Sequence, residues 1–429
     1  MLHIKETLQN INPSYKGVGN LLLDSHDDDA QWNILQENVS LPAATLSSSA
    51  INHNQLWMET FAERFKFLLA PHGKTTMLPG LFSLQVASQF CYGMTLATVS
   101  QVTVAFKSGI KRVIMANQLV GKCNMDIIST IMENDPTFEF ICLVDSSENV
   151  AQIGQFFGKR KQNVKVLLEY GVDGGRTGIR DENRERTVLT ELRNWTDSVS
   201  VVGVEFFEGI LQDATEIRRF ISWSLSRVQK LAADNVFIND EIIITGAGTS
   251  WFDIVAEDFL KFQENCPLRL KKIIRSGCYL IYDNGLYAQM EKRVSDMNFG
   301  EGNEWKILSE SLKPTLKVWA YVQSIPEKNL AIIGMGRRDA GNDSGFPVLH
   351  LHFRPGQAAP TYYDKTKYPE VFKMMDQHTF LRIGDDDDFQ VGDIVAFDIY
   401  HACTTMDKWR NVLLIDDEFN VRQIFQSEF

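Results

Sequence analysis

The sequence predicts an α/β protein, in which a (β/α)8 TIM-type barrel is followed by a mostly antiparallel β domain. Between about residues 64 and 285, eight short apolar runs alternate with amphipathic segments. Strands that are apolar throughout and separated by helices are typical of a parallel sheet with helices on its outer face. Eight such units indicate a closed barrel, and an open doubly wound sheet is the alternative. Beyond residue 286, apolar runs with period two and intervening turns indicate the β domain.

The predicted domain organisation follows from these runs and from the length of 429 residues, which exceeds what one hydrophobic core usually organises. We place an N-terminal segment at 1–45 that packs on the β domain, the barrel at 46–285 and the β domain at 286–429. The eight predicted barrel strands are 65–71, 92–98, 112–118, 139–145, 164–170, 201–207, 241–247 and 272–283.

Charge and composition narrow the class of protein. The net charge of −12 disfavours nucleic acid as a partner, because phosphate backbones need clustered Lys and Arg. No uncharged apolar run is long enough for a membrane span, and the first residues lack the apolar region of a signal peptide. The six cysteines form no CxxC pair, so disulfides are not expected. We therefore expect a cytoplasmic protein that acts on a small molecule.

Candidate functional residues gather where predicted barrel strands end at their C-terminal side, the face that carries barrel active sites. Lys74 follows the first strand, Arg176 follows the fifth, and Gly246, Gly248 and Thr249 follow the seventh. A desolvated lysine can condense with an aldehyde, although an isolated lysine is more often an ordinary surface residue. Exposed backbone N–H groups of a glycine-rich segment suit a phosphate. Together they describe a pyridoxal-phosphate pocket or, as the alternative, a phosphorylated-sugar site.

A second constellation is the H-x-C formed by His401 and Cys403, which we place on a strand where alternate side chains share a face. Imidazole and thiolate together favour zinc among the common divalent ions. The alternative is a half-buried histidine beside a buried thiol. For His350 and His352, another alternating pair, a structural role is preferred over metal binding, and the role of His378 is open.

These motifs resemble a known family when they are taken in order: the lysine loop at 70–76, R-T-G, G-A-G-T, R-S-G-C-Y and the late H-x-C. They are similar to the fold-type III enzymes of the D-serine dehydratase and D-threonine aldolase group, whose N-terminal domain is an alanine-racemase-type barrel. The resemblance implies that Lys74 forms the imine with pyridoxal phosphate and that His72 lies beside it. It further implies that Gly246, Gly248 and Thr249 hold the cofactor phosphate and that Arg176 faces the pyridine ring. Tyr279 would border the phosphate or the ring. His401 and Cys403 would bind a divalent metal, by preference zinc.

The activity implied by this resemblance is a lyase reaction on a D-3-hydroxy amino acid, in which the metal would bind the β-hydroxyl. In the group, a cysteine as second ligand goes with dehydration and an acid with aldol cleavage, so Cys403 favours dehydration of D-serine or a relative to a 2-oxo acid and ammonia. Ala70, Thr76 and Gln377 depart from the usual arginine, histidine and acid, which leaves the substrate side chain open. Retro-aldol cleavage, racemisation and a non-catalytic pyridoxal-phosphate carrier are the alternatives. The resemblance also implies a homodimer.

Overall fold

The barrel predicted from the sequence is present and nearly closed in the computed structural model, which describes residues 14–19, 32–282, 284–297, 303–363 and 369–429. Most of the predicted N-terminal segment, residues 1–13 and 20–31, lies outside the described residues. The eight parallel strands run in the order β2-β9-β8-β7-β6-β5-β4-β3. Parallel bridges from Leu69 to Cys91 and from His72 to Thr95 join β2 to β3. Their bounds are β2 Leu68–Leu69, β3 Met94–Leu96, β4 Arg112–Gln118, β5 Glu139–Val144, β6 Val164–Tyr170, β7 Val199–Phe206, β8 Glu241–Gly246 and β9 Arg269–Ile274.

Amphipathic helices cover the outer face of this barrel. In the helix Ser147–Lys159, for example, the Ser146 side chain accepts the Asn149 N–H at the N-terminus, and Val150, Ile153 and Phe157 are buried against the strands. The helices are α1 Ser48–Phe65, α2 Pro79–Val86, α3 Val99–Lys107, α4 Lys122–Asn134, α5 Ser147–Lys159, α6 Glu182–Leu192, α7 Ala214–Ala233, α8 Phe252–Glu264 and α9 Leu286–Ser295. No helix in the described ranges is long and apolar enough to cross a bilayer.

The second unit is a mostly antiparallel sheet, in agreement with the predicted fold class. Its main path runs β13-β12-β16-β10-β1-β17-β18, and β11, β14 and β15 extend from β10. The strands are β1 Ala43–Ser47, β10 Leu316–Glu327, β11 Leu330–Ile333, β12 Val348–Phe353, β13 Thr361–Tyr362, β14 Glu370–Met374, β15 Thr379–Arg382, β16 Ile394–Asp398, β17 Asn411–Ile415 and β18 Val421–Gln426.

The segment before the barrel contributes to this sheet. Strand β1 straddles the predicted boundary at residues 45 and 46, and it runs antiparallel to β10 and parallel to β17. Val18, Ile34 and Val39 are buried in the same apolar cluster as Trp319 of β10. The described part of the N-terminal segment therefore lies on the β domain, while the exact domain limits stay a prediction.

Three local expectations were wrong. The eighth barrel strand ends at Ile274, not near 283, and a 3₁₀ turn follows at Cys278–Leu280. After residue 286 the chain first forms α9 and a 3₁₀ helix at Asn303–Ser309, before the β domain resumes with β10. The H-x-C is not on a strand, because His401 precedes a short helix, α10 Ala402–Met406, that contains Cys403. Alternation of apolar residues over so few positions does not separate a strand from a helix.

Candidate active site

Lys74 lies in a 3₁₀ turn, Gly73–Thr75, directly after the first barrel strand, and its side chain is exposed at the C-terminal mouth of the barrel. The turn is held by its neighbours: Thr95 N–H donates to Pro71 O at 2.9 Å, and Gly277 is packed against the backbone of His72. A Cβ at Gly277 would lie 2.4 Å from His72 O. The end of the eighth strand therefore fixes the position of the Lys74 loop through a contact that only glycine permits.

His72 contributes a neutral imidazole beside Lys74. Its Nδ1 is buried without a hydrogen-bond partner. Burial, followed by the positive charges of Lys74, Arg275 and Arg176, lowers the pKa of His72 well below its usual value. The ring is therefore uncharged near neutral pH, and the three cations that act on it converge on the same mouth.

A polar layer lines the upper end of the barrel. Leu167, Ile243 and Ile273 belong to an apolar cluster inside the barrel. Two residues further along the same strands, Glu169, Thr245 and Arg275 point to the same side, since side chains in a strand alternate. In the sheet register, Glu205 pairs with Glu169 on one side and with Thr245 on the other. The interior thus changes from apolar to charged directly below the mouth.

Within this layer Arg275 and Glu205 form an ion pair whose side chains are 4% and 2% exposed. Arg275 Nη1 also donates to Thr245 Oγ1 at 3.0 Å, whereas Glu205 Oε2 has no partner. Burial raises the pKa of Glu205 to about 8, an effect that Arg275 opposes. Glu169 accepts a hydrogen bond from Thr177 Oγ1 and another from Gln118. Two carboxyl groups are therefore buried directly below the mouth, Glu205 beside a guanidinium and Glu169 between neutral donors.

The glycine-rich segment after β8 is shaped by Glu208. The Glu208 carboxylate accepts the Ala247 N–H at 3.0 Å through Oε2, while its Oε1 has no partner. A Cβ at Gly246 would lie 2.6 Å from the Phe206 ring. Thr249 and the N-terminus of α8 follow directly in the chain. An anion at this rim would meet them, and the free N–H groups of a helix N-terminus favour negative charge.

Arg176 shares the Phe207 ring with this segment. Its guanidinium is stacked 4.6 Å from the ring centre, and a Cβ at Gly248 would lie 3.1 Å from the same ring. Arg176 and Phe207 line a small open cleft, together with Glu169, Thr177 and Ile210. Tyr279, expected beside the phosphate or the ring, is buried in the 3₁₀ turn after β9, and burial raises its pKa.

The predicted metal pair lies at the same mouth. Cys403 Sγ is 3.5 Å from Thr75 Oγ1, the residue after Lys74, and 3.9 Å from Cys278 Sγ. The Cys403 thiol raises the pKa of His401 to about 9, and Asp343 acts in the same direction. In the part of the chain that the structure describes, no three His, Cys, Asp or Glu side chains are grouped to hold an ion. Imidazole and thiolate are nevertheless donors that zinc takes in proteins, so the pair supplies two ligands of the right type, one fewer than the three protein ligands of a typical catalytic zinc site.

The other histidines considered from the sequence have structural contacts. His352 Nε2 is 2.7 Å from Asp393 Oδ2, and His350 Nδ1 is 3.5 Å from Asp398. Both lie in the β domain on strand β12, as the preferred structural role requires. His378 is exposed in the turn between β14 and β15.

Sequence reasoning assigned no role to Glu169, Glu205, Glu208 or Cys278, all of which lie at the mouth. A signal was present: carboxylates inside otherwise apolar, buried strands are costly unless they are paired, so their presence indicates a site. The residues fit pyridoxal phosphate, since an exposed lysine, an orphaned imidazole nitrogen and a helix N-terminus share one rim.

Comparison with known proteins agrees with this geometry. A family model described as "Putative serine dehydratase domain" matches residues 315–415, which include the H-x-C. The chain is 22% identical to the D-threonine aldolase of Arthrobacter sp. over 72% of this chain and 75% of that protein. It is 21% identical to the 3-hydroxy-D-aspartate aldolase of Paracoccus denitrificans (strain Pd 1222), with 73% and 76% covered.

Solved structures with the same fold extend this similarity over most of the chain. The D-threonine aldolase from Filomicrobium marinum has a TM-score of 0.72 at 18% identity and covers 91% of this chain and 95% of its own. A cysteine-to-alanine variant of D-threo-3-hydroxyaspartate dehydratase in the metal-free form has a TM-score of 0.70 at 16% identity, with 93% and 99% covered. An alanine racemase of Clostridium difficile 630 has a TM-score of 0.54 at 13% identity, with 90% and 99% covered. The resemblance to the fold-type III enzymes is thereby confirmed, as is the alanine-racemase-like fold class.

Proposed function

We propose that this chain, which resembles the fold-type III enzymes in sequence and in fold, is a pyridoxal-phosphate- and metal-dependent lyase of D-3-hydroxy amino acids. The reaction is the dehydration and deamination of D-serine or a relative to a 2-oxo acid and ammonia. The observation that carries the proposal is the 3.5 Å contact between Cys403 Sγ and Thr75 Oγ1. It brings the metal pair next to Lys74, although the two motifs are far apart in the chain.

The protein's own residues supply binding and proton transfer. Lys74 holds the cofactor through its ε-amine and, once released, takes the α-proton of the substrate at Nζ. His72 stays neutral beside it, so it adds no positive charge that would lower the basicity of the Lys74 amine. Gly246, Gly248 and Thr249 border the phosphate together with the N-terminus of α8, and Arg176 lies at the ring side of the mouth. Bound pyridoxal phosphate supplies the electron sink for the carbanion formed at Cα.

His401 and Cys403 would hold the metal, with zinc preferred because the donors are an imidazole and a thiolate. A metal there supplies a Lewis acid for the departing β-hydroxyl. Support comes from one of the similar structures, a D-threo-3-hydroxyaspartate dehydratase described as a cysteine-to-alanine variant in the metal-free form.

Retro-aldol cleavage is the second candidate, and a specific observation favours it: both curated relatives are aldolases. The outcome depends on which bond breaks. In dehydration Cα loses its proton and the hydroxyl leaves Cβ, whereas in retro-aldol cleavage the β-hydroxyl loses its proton and the Cα–Cβ bond breaks, so that Cβ departs as the aldehyde. A non-catalytic carrier is disfavoured by the metal pair at the mouth. We expect the chain to assemble as a homodimer in the cytoplasm. Its ligands are small D-amino acids, and we expect no binding to nucleic acid or to a membrane.

The deciding experiment incubates the protein, reconstituted with pyridoxal phosphate and zinc, with D-serine, D-threonine and D-threo-3-hydroxyaspartate. Formation of 2-oxo acid and ammonia supports dehydration, and glycine with an aldehyde supports the aldolase. The L-enantiomers are the control and should not react. Exhaustive chelation should abolish turnover and leave the cofactor bound. Inactivity on every D-substrate, or full activity after chelation, would contradict the proposal.

A further inference from the structure

A loop of the β domain, residues 336–345, is hydrogen-bonded to the helix that carries Cys403 and to the residue Trp409 that follows this helix. Asp339 accepts the Gly336 N–H at 2.9 Å within the loop, and its carbonyl accepts Trp409 Nε1–H at 2.8 Å. Gly341 N–H donates to Thr405 Oγ1 of α10 at 2.9 Å. The loop and the helix therefore form one hydrogen-bonded unit, in which the loop side chains have set positions relative to the H-x-C.

Asp343 of this loop is bonded to His401. Asp343 Oδ2 is 2.6 Å from His401 Nδ1, and Asp343 Oδ1 accepts the Thr404 hydroxyl at 2.8 Å. Both carboxylate oxygens are thus engaged, one by the imidazole and one by a side chain of α10. The carboxylate cannot rotate away from His401 without breaking the bond to Thr404.

This contact determines which ring nitrogen is available for a metal. A carboxylate accepts hydrogen bonds and does not donate them, so Nδ1 carries the proton that Asp343 Oδ2 accepts. In a neutral imidazole the lone pair is consequently on Nε2, the nitrogen that can then bind a metal.

We propose that Asp343 is the positioning residue of the metal site, fixing His401 as the Nε2 ligand and strengthening its donation. The inference rests on the proposed function for the assignment of His401 and Cys403 as ligands. A carboxylate on the distal nitrogen holds the tautomer and the ring orientation and raises the basicity of the ligand. Removal of such a partner usually lowers metal affinity 10–100-fold.

A merely structural role predicts a different result. The Asp343 side chain is 51% exposed, so its removal leaves no internal cavity, and an exposed ion pair adds little to stability. Metal affinity therefore separates the two roles, because a structural role would leave it unchanged.

The test measures the zinc dissociation constant of metal-free, full-length protein against a competing chromophoric chelator. The variants are Asp343→Ala, which removes acceptor and charge, and Asp343→Asn, whose amide oxygen can still accept from Nδ1. Thr404→Val removes the hydroxyl that holds Asp343. Asp407→Ala is the matched control, since Asp407 is 49% exposed and is paired with Lys408 at 3.4 Å, just beyond α10. It removes the same charge at a similar exposure.

The expected order is a roughly 10–100-fold loss for Asp343→Ala, a smaller loss for Asp343→Asn and Thr404→Val, and no change for Asp407→Ala. Equal zinc affinity in the parent and in Asp343→Ala overturns the proposal for Asp343 and leaves the assignment of the metal pair intact. A loss of zinc affinity in Asp407→Ala as large as that in Asp343→Ala has the same meaning. Should Asp343→Ala fail to fold, the Asn and Val variants decide. A parent protein that binds no zinc overturns the metal pair itself.

Discussion

Arg275 and Glu205 face each other across the interior of the barrel as a buried ion pair, directly below the mouth. Arg275 lies two residues before Gly277, whose backbone rests on His72. The ion pair therefore holds the segment after β9 that positions the Lys74 loop. A buried charge that loses its partner is strongly destabilising, whereas an apolar replacement of the whole pair is often tolerated.

The first prediction concerns this pair. Because burial raises the pKa of Glu205 to about 8, the carboxyl is largely protonated at pH 7, and Glu205→Gln should change the free energy of unfolding little there. Glu205→Leu removes the acceptor of the buried Arg275 guanidinium, so we expect a loss of about 3 kcal/mol. Chemical denaturation of the cofactor-free protein at pH 7 measures both. The double variant Glu205→Leu with Arg275→Met should recover most of this loss, since it removes the guanidinium together with its partner. Strictly additive effects of the two single changes would contradict a coupled pair.

The second prediction concerns Gly277. Gly277→Ala places a methyl group 2.4 Å from His72 O, so the Lys74 loop must shift, and we expect a large loss of pyridoxal-phosphate affinity with a folded barrel. The measurement is titration of the cofactor-free protein, followed by absorbance. Gly158→Ala is the control, because its Cβ would meet only ordinary contacts at 3.5 Å in α5. That variant should bind normally and gain up to about 1 kcal/mol from helix propensity.

Much of the fold could be predicted because the buried strands are apolar for their whole length. Val164–Tyr170 and Arg112–Gln118 were predicted with the bounds that the structure has. The eighth strand was extended too far because Cys278, Tyr279 and Leu280 are apolar and buried in a 3₁₀ turn, where burial and not strand pairing selects them. The same ambiguity placed the H-x-C on a strand.

For the site, the sequence indicated which strand ends carry functional groups but not which side chains meet. The link between Cys403 and Thr75 depends on how the β domain docks on the barrel, and no local pattern encodes that contact. Likewise, Glu208 lies after β7 and bonds the backbone after β8. Such a contact arises from strand order in the barrel, so it became visible only in three dimensions.

The third prediction concerns pH. Since the pKa of His72 is lowered in the folded protein, the unfolded chain takes up a proton below about pH 6.5 that the folded chain does not. The neutral His72 therefore contributes to the free energy of unfolding above that pH. This contribution is lost as the pH falls, by about 1.4 kcal/mol per pH unit until the pKa of His72 in the folded protein is reached. His72→Asn should lack this loss, which thermal midpoints between pH 7.5 and 5.5 would reveal. His378→Asn, at an exposed site, is the control and should keep the parent's pH dependence.

The fourth prediction separates the two neighbouring thiols. Cys403→Ser should weaken zinc binding by more than about 100-fold, because it removes a ligand and not merely its partner. Cys278→Ser changes a buried thiol 3.9 Å away and should leave zinc affinity within a few-fold of the parent. Zinc titration of the metal-free proteins measures both. An equal loss in the two variants would mean that Cys278 also binds the metal.

The fifth prediction concerns Lys74. Because its side chain is exposed, Lys74→Ala should fold with little change in stability, yet it removes the amine that is proposed to hold the cofactor and to take the α-proton. We expect the purified variant to lack the visible absorbance of bound pyridoxal phosphate and to have no measurable turnover. Lys107→Ala, at the exposed end of α3, is the matched control and should keep both properties. Borohydride treatment of the parent should fix the cofactor on the peptide that contains Lys74. Cofactor fixed on a different lysine, or retained absorbance and turnover in Lys74→Ala, would refute the assignment of the cofactor to Lys74.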